Sequence, residues 1–117
     1  MTSSATPSPI SPSGATLERL EAIIAQRRGA DPDASYVARL SAKGLGKIAQ
    51  KVGEEGVETV IAALSESREA LVGEAADLIF HLLLLLAAKD IPLAEVLAEL
   101  DRREGVSGLA EKAARKG

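Results

Sequence analysis

Five carboxylates carry whatever chemistry this chain performs. Glu54, Glu55 and Glu58 lie in the stretch GKIAQKVGEEGVETVIAAL, and Glu74 and Asp77 follow at the head of a strongly apolar segment. In shorthand the pattern is EExxE, a spacer, then ExxD. An α-helix turns about 100° per residue, so residues three or four apart share a face. Glu55 and Glu58 make one such pair, Glu74 and Asp77 another. If the two segments are helices packed antiparallel, the pairs can face each other, as ligands do in helix-bundle metal sites. Carboxylates among apolar residues are costly unless something neutralises them, and a divalent cation is the simplest partner. Lys47 and Lys51 fall within an arc of about 60° with Glu54 and Glu58. A phosphate ester held by both metal and lysine suits such a surface.

The elements that must position these groups are helices. Thr16 can cap a first helix through Leu17, Leu20, Ile23 and Ile24, ended by Arg27, Arg28 and Gly29. Ser35 can cap a short helix from Tyr36 to about Ala42, interrupted by Gly44 and Gly46. The EExxE helix then runs to about Ser65. Gly53 and Gly56 flank its carboxylates, and each costs roughly 1 kcal/mol against Ala. Either a neighbouring helix or a ligand should therefore approach closely there. Arg68 to about Lys89 forms a third long helix, apolar nearly all round after Asp77, which should be the most buried element. Asp90 ends it, and Pro92 fits the first turn of a last helix with Leu93, Val96, Leu97 and Leu100 on one side. Residues 1–15 are rich in Ser and Pro and should form a disordered tail before one domain over 16–117. The expected fold is all-α, an antiparallel bundle of four to five helices that pairs as a dimer.

Composition narrows the function classes. The chain has 117 residues, 46% of them hydrophobic, with one Phe, one Tyr and no Trp. That core is thin for its size, which favours pairing through a helix face. No Cys excludes thiolate metal sites and disulfides, and one His excludes a multi-His zinc centre within one subunit. The net charge of −3 and the scarcity of aromatics argue against a nucleic-acid binder. The apolar run from Leu78 to Ala88 covers about half the length of a membrane span, so it reads as a core helix. Without a signal-peptide pattern the expected location is the cytoplasm.

EExxE alone would read as a solvated face paired with lysines. ExxD on the apolar helix tips the balance toward a metal, because Glu74 and Asp77 should be partly buried. His81, one turn after Asp77, reads as a satisfied core residue rather than a ligand.

The two motifs together resemble the signature of the all-α nucleoside triphosphate pyrophosphohydrolases. SYVARLSAKGLGKIAQKVGEEGVETVIAAL followed by EAADLIFHLLLLL is closely similar to the phosphoribosyl-ATP pyrophosphohydrolase family, over about Leu17 to Arg115. That resemblance implies Mg²⁺-dependent hydrolysis of phosphoribosyl-ATP to phosphoribosyl-AMP and pyrophosphate, the second step of histidine biosynthesis. It also implies a stand-alone form, since the cyclohydrolase fused to this domain in some organisms needs Cys ligands, and it implies a homodimer. On this reading Glu55, Glu58, Glu74 and Asp77 hold Mg²⁺. Glu54 is general base or ligand to a second metal, and Lys51, with Lys47, stabilises the leaving pyrophosphate. The substrate's second ribose phosphate needs its own site, for which Ser35, Tyr36, Arg39 and Lys43 lie just upstream. Two rivals stand beside this reading: a house-cleaning enzyme acting on free (deoxy)nucleoside triphosphates, and a non-catalytic helical dimerisation module.

Overall fold

The computed structural model describes residues 15–104, and among them every regular element is a helix. The order is α1 (Ala15–Arg27), α2 (Tyr36–Lys43), α3 (Leu45–Ser65), α4 (Arg68–Ala88) and α5 (Leu93–Arg103). Only Glu66 and Ser67 separate α3 from α4, so α4 must run back antiparallel along α3. Ser67 starts it by accepting a hydrogen bond from the Ala70 amide at 3.1 Å. The hairpin is the body of the fold, with α1 packed on α4 and α2 on α3.

The core sits where these contacts meet. Ile24 of α1, Val37 and Leu40 of α2, Ile48 of α3, Leu83 and Leu84 of α4 and Leu93 of α5 are buried together. Ser35 caps α2, accepting from the Ala38 amide at 3.2 Å. The break between α2 and α3 is made at Gly44, whose φ of 97° and ψ of 172° lie in a region open essentially to glycine. A methyl group there would meet no neighbour, so the cost of Gly44→Ala is conformational alone. Chemical denaturation should show a loss of about 1–3 kcal/mol for that variant.

The expected tail over 1–15 lies outside the described residues except for Ala15, which opens α1, and residues 105–117 lie outside them as well. Three expectations need correction. Thr16 lies inside α1, where its Oγ1 accepts from Arg19 at 3.1 Å instead of capping. Pro92 is the residue before α5, not its first turn. The first amide of α5 is served across the fold, since Leu93 N–H donates to Glu21 Oε2 at 2.6 Å. Finally, α4 is buried on one side only. His81, Leu83 and Leu84 face the core, whereas Val72, Ile79 and Leu82 are exposed. Among the described residues, nothing covers the exposed apolar residues of α3 and α4. Arg68–Ala88 is also long and apolar enough to cross a membrane by length and composition, but its carboxylates and its packing against α3 read as a bundle helix.

Candidate metal and phosphate site

The α3–α4 hairpin brings three of the five carboxylates to one point. Glu55 and Glu58 come from successive turns of α3, and Glu74 comes from the facing turn of α4. One oxygen from each lies within 4.8 Å of the others. Glu55 is buried, with 6% of its surface exposed, and Glu58 is exposed while Glu74 is half-buried. Thr59 draws the helices together at this level. Its hydroxyl donates to the Glu55 carbonyl at 2.7 Å and reaches the Glu74 carbonyl, on the other helix, at 3.2 Å. Sequence reasoning passed over Thr59. Its position one residue past EExxE was the available signal, but nothing local says that a threonine hydroxyl will reach across a helix pair.

Two buried oxygens of the cluster, Glu55 Oε2 and Glu74 Oε1, have no hydrogen-bond partner. A buried carboxylate oxygen without a partner is costly, and a solvated acidic face would not contain one. The donor set is all oxygen, which fits a hard divalent cation. Asp77 lies outside the triad, one turn further along α4, but its charge is felt there. Burial first, then the negative charges of Glu58, Glu55 and Asp77, raise the Glu74 carboxyl above its ordinary 4.5.

This shift has a definite sign. A group whose pKa is raised in the folded protein stabilises it below its unfolded value and loses that contribution as pH rises through the raised one. The metal-free protein should therefore lose stability above about pH 4.5 as Glu74 ionises against its neighbours. A bound divalent cation favours the ionised form. Melting curves with Mg²⁺ and with chelator should coincide below that pH and separate above it.

Lys51 stands beside the cluster, its Nζ 3.6 Å from Glu54 and 3.7 Å from Glu55. Partial desolvation pulls its ammonium down, but Tyr36, Glu54 and Glu55 together outweigh it and raise the pKa, so Lys51 is a fixed cation. Glu54 is not among the three converging carboxylates and accepts from Gln50 Nε2 at 2.7 Å. That hydrogen bond first, then the charges of Lys51 and Lys47, hold its carboxyl below the usual range. A lowered pKa makes a weaker base. Both roles foreseen for Glu54, general base and ligand to a second cation, require the ionised carboxylate that these neighbours favour. An added methyl at Gly53 or Gly56 would meet nothing within 4 Å, so among the described residues no neighbouring helix approaches closely there.

The upstream segment is placed less uniformly. Ser35 is occupied as a helix cap. Arg39 is exposed and donates from Nε to the Pro32 carbonyl at 3.2 Å, and Lys43 is exposed in the last turn of α2. Tyr36 reaches α4, where its hydroxyl lies 2.7 Å from His81 Nε2. His81 Nδ1 lies 2.7 Å from the Asp77 carbonyl, which can only accept. Nδ1 therefore carries a proton, and Nε2 is hydrogen-bonded to the Tyr36 hydroxyl. His81 is buried and hydrogen-bonded at both nitrogens.

Residues 17–104 match the family described as phosphoribosyl-ATP pyrophosphohydrolase. The chain belongs to this family. It is 74% identical over 102 residues to the phosphoribosyl-ATP pyrophosphatase of Novosphingobium aromaticivorans, covering 87% of this chain and 95% of that protein. The protein of the same name from Erythrobacter litoralis is 73% identical over 100 residues, covering 86% of this chain and 96% of its own length. The one from Rhizorhabdus wittichii is 68% identical over 100 residues, covering 86% and 94%. The family match ends where the described helices end, and it contains every carboxylate and lysine of the site.

Proposed function

We propose that the protein hydrolyses phosphoribosyl-ATP to phosphoribosyl-AMP and pyrophosphate, the second step of histidine biosynthesis, in the cytoplasm and with Mg²⁺ as cofactor. The observation that carries this reading is the pair of orphaned, buried carboxylate oxygens at the crossing of EExxE and ExxD, in a chain of this family. Glu55, Glu58 and Glu74 would hold the cation, with Asp77 joining from the next turn. Bound there, it would supply charge neutralisation for phosphate oxygens and a more acidic water. The chain's own residues do the rest. Lys51, locked as a cation between Glu54 and Glu55, offsets charge on the departing pyrophosphate, and Lys47 adds to the same field. Glu54 stays ionised beside them, available as general base or as ligand to a second cation. Phosphoryl transfer needs positioning and charge stabilisation more than covalent help, and these parts meet that need.

A side-by-side assay tests the reaction. Pyrophosphate release from phosphoribosyl-ATP should exceed that from ATP and the deoxynucleoside triphosphates. The reverse preference would favour a house-cleaning enzyme. Preference for the larger substrate needs a cationic contact for its second phosphate, and the candidates for it are Arg39 and Lys43, exposed and four apart on α2. Arg39→Ala or Lys43→Ala should lower kcat/KM for phosphoribosyl-ATP by roughly tenfold, the scale of one lost charge-assisted hydrogen bond, and leave residual ATP hydrolysis nearly unchanged. Equal losses on both substrates would move the two cations to the triphosphate.

The protein acts as a homodimer on this reading. Val57, Val60, Ile61 and Leu64 follow one another at i, i+3, i+4 and i+7 along α3, all exposed, and Leu64 is 82% exposed. Val72, Ile79 and Leu82 on the neighbouring α4 are exposed as well. A contiguous apolar stripe of this kind marks a surface that is covered in solution.

A further inference from the structure

The chain has one tyrosine, one phenylalanine, one histidine and no tryptophan, and all three rings meet at one place. The Tyr36 and Phe80 centroids are 6.1 Å apart, and His81 stands edge-on to both at 5.7 and 5.1 Å. A cavity of about 550 Å³ opens against two of these rings, lined by Leu20, Ile23, Val37, Tyr36 and Phe80, with Arg27 beside them. None of the five carboxylates and neither Lys47 nor Lys51 lines it. Its volume lies within the range of about 300–1,000 Å³ typical of small-molecule sites, and such sites are mostly apolar with few polar groups.

We propose that this cavity is the nucleobase subsite, in which the purine of the substrate lies against the rings of Phe80 and Tyr36. The proposal rests on the nucleotide-hydrolysing reading given above. Three features support it. Apolar and aromatic walls suit a flat heteroaromatic base and have little to offer a phosphate. Tyr36 is 42% exposed, so its ring is not spent on the core, yet its position is fixed because its hydroxyl is hydrogen-bonded to His81. The same tyrosine joins the cavity to the carboxylates, because the His81 it is bonded to is anchored in turn on the Asp77 carbonyl. A nucleotide with its base against Tyr36 therefore has its phosphates within reach of the α4 turn that carries Asp77 and Glu74. His81 acts as a positioning residue, holding the tyrosine that separates the two halves.

The single tyrosine and phenylalanine make the test direct, because their ring protons need no sequential assignment. Adenosine 5′-monophosphate added to the full-length protein should give intermolecular NOEs from adenine H2 and H8 to both rings, and ribose 5-phosphate should give none. Phe80→Leu removes one stacking face with little change of volume. Ala34→Phe fills the cavity from an exposed loop position that also lines it, without touching the core. Each variant should raise KM for phosphoribosyl-ATP at least about tenfold, the scale of one lost base–aromatic stack, and lower kcat less than that. Absence of NOEs to either ring, NOEs from ribose 5-phosphate in their place, or unchanged KM in both variants would overturn the subsite. Adenine NOEs in a protein that does not hydrolyse phosphoribosyl-ATP would support the subsite and remove the catalytic reading instead.

Discussion

In the Glu55→Gln and Glu74→Gln proteins, Mg²⁺ should no longer raise the melting temperature, and turnover of phosphoribosyl-ATP should fall at least about a hundredfold, beyond the range usual for residues that only support a ligand. Both substitutions keep shape and volume, so the α3–α4 crossing should survive them. What they remove is a negative oxygen from a triad whose members lie within 4.8 Å of one another. In the wild type a cation at about a hundred times its Kd stabilises by about 2.7 kcal/mol, a rise on the order of 10 °C for a domain of this size. Glu74→Gln has a second signature. Its carboxyl is pushed up by burial and by three neighbouring carboxylates, so replacing it relieves repulsion in the metal-free protein. With chelator at neutral pH, this variant should melt at or above the wild type while losing the response to Mg²⁺. Asp77→Asn decides whether the fourth carboxylate joins the site, since a loss as large as that of Glu55→Gln makes it a ligand. A wild-type Mg²⁺ response no larger than that of added NaCl, or full turnover in Glu55→Gln, would remove the metal assignment.

Light scattering should find the wild type dimeric and the Val60→Glu, Leu64→Glu protein monomeric. Val60 and Leu64 are 58% and 82% exposed in the single chain, so neither substitution disturbs its core. A carboxylate forced into a dry interface without a partner costs several kcal/mol, enough to weaken a dimer by about a hundredfold or more. If the two carboxylate clusters are complete within each chain, the monomeric variant should still bind Mg²⁺. A wild type that is monomeric at tens of micromolar would leave the α3–α4 stripe to some other cover.

The number, type and order of the helices were legible in the sequence, because each rests on a local signal. Ser35 and the i, i+3, i+4 spacing announce α2 and its neighbours, and glycines at 44 and 46 announce the break before α3. That Glu55, Glu58 and Glu74 could converge was legible for the same reason, since EExxE and ExxD each put a pair of carboxylates on one helix face. The expected partial burial holds for Glu74 but not for Asp77, which is exposed. The family was legible in the long uninterrupted phrase around those residues.

Which carboxylates meet was decided by the tertiary structure. Helical spacing treats Glu74 and Asp77 alike, but the depth at which α4 crosses α3 brings Glu74 to Glu55 and Glu58 and leaves Asp77 one turn away. Glu54 and Glu55 are adjacent in sequence, yet one is held by Gln50 on the surface and the other is buried. Pairings across long separations, such as Tyr36 with His81 and Glu21 with the start of α5, depend on how whole helices dock and have no local signature. The same holds for the cavity beside Phe80 and for the exposed side of α4. An apolar helix states that it must be covered. Only the packing of the remaining helices shows which of its sides they cover and which they leave for another molecule.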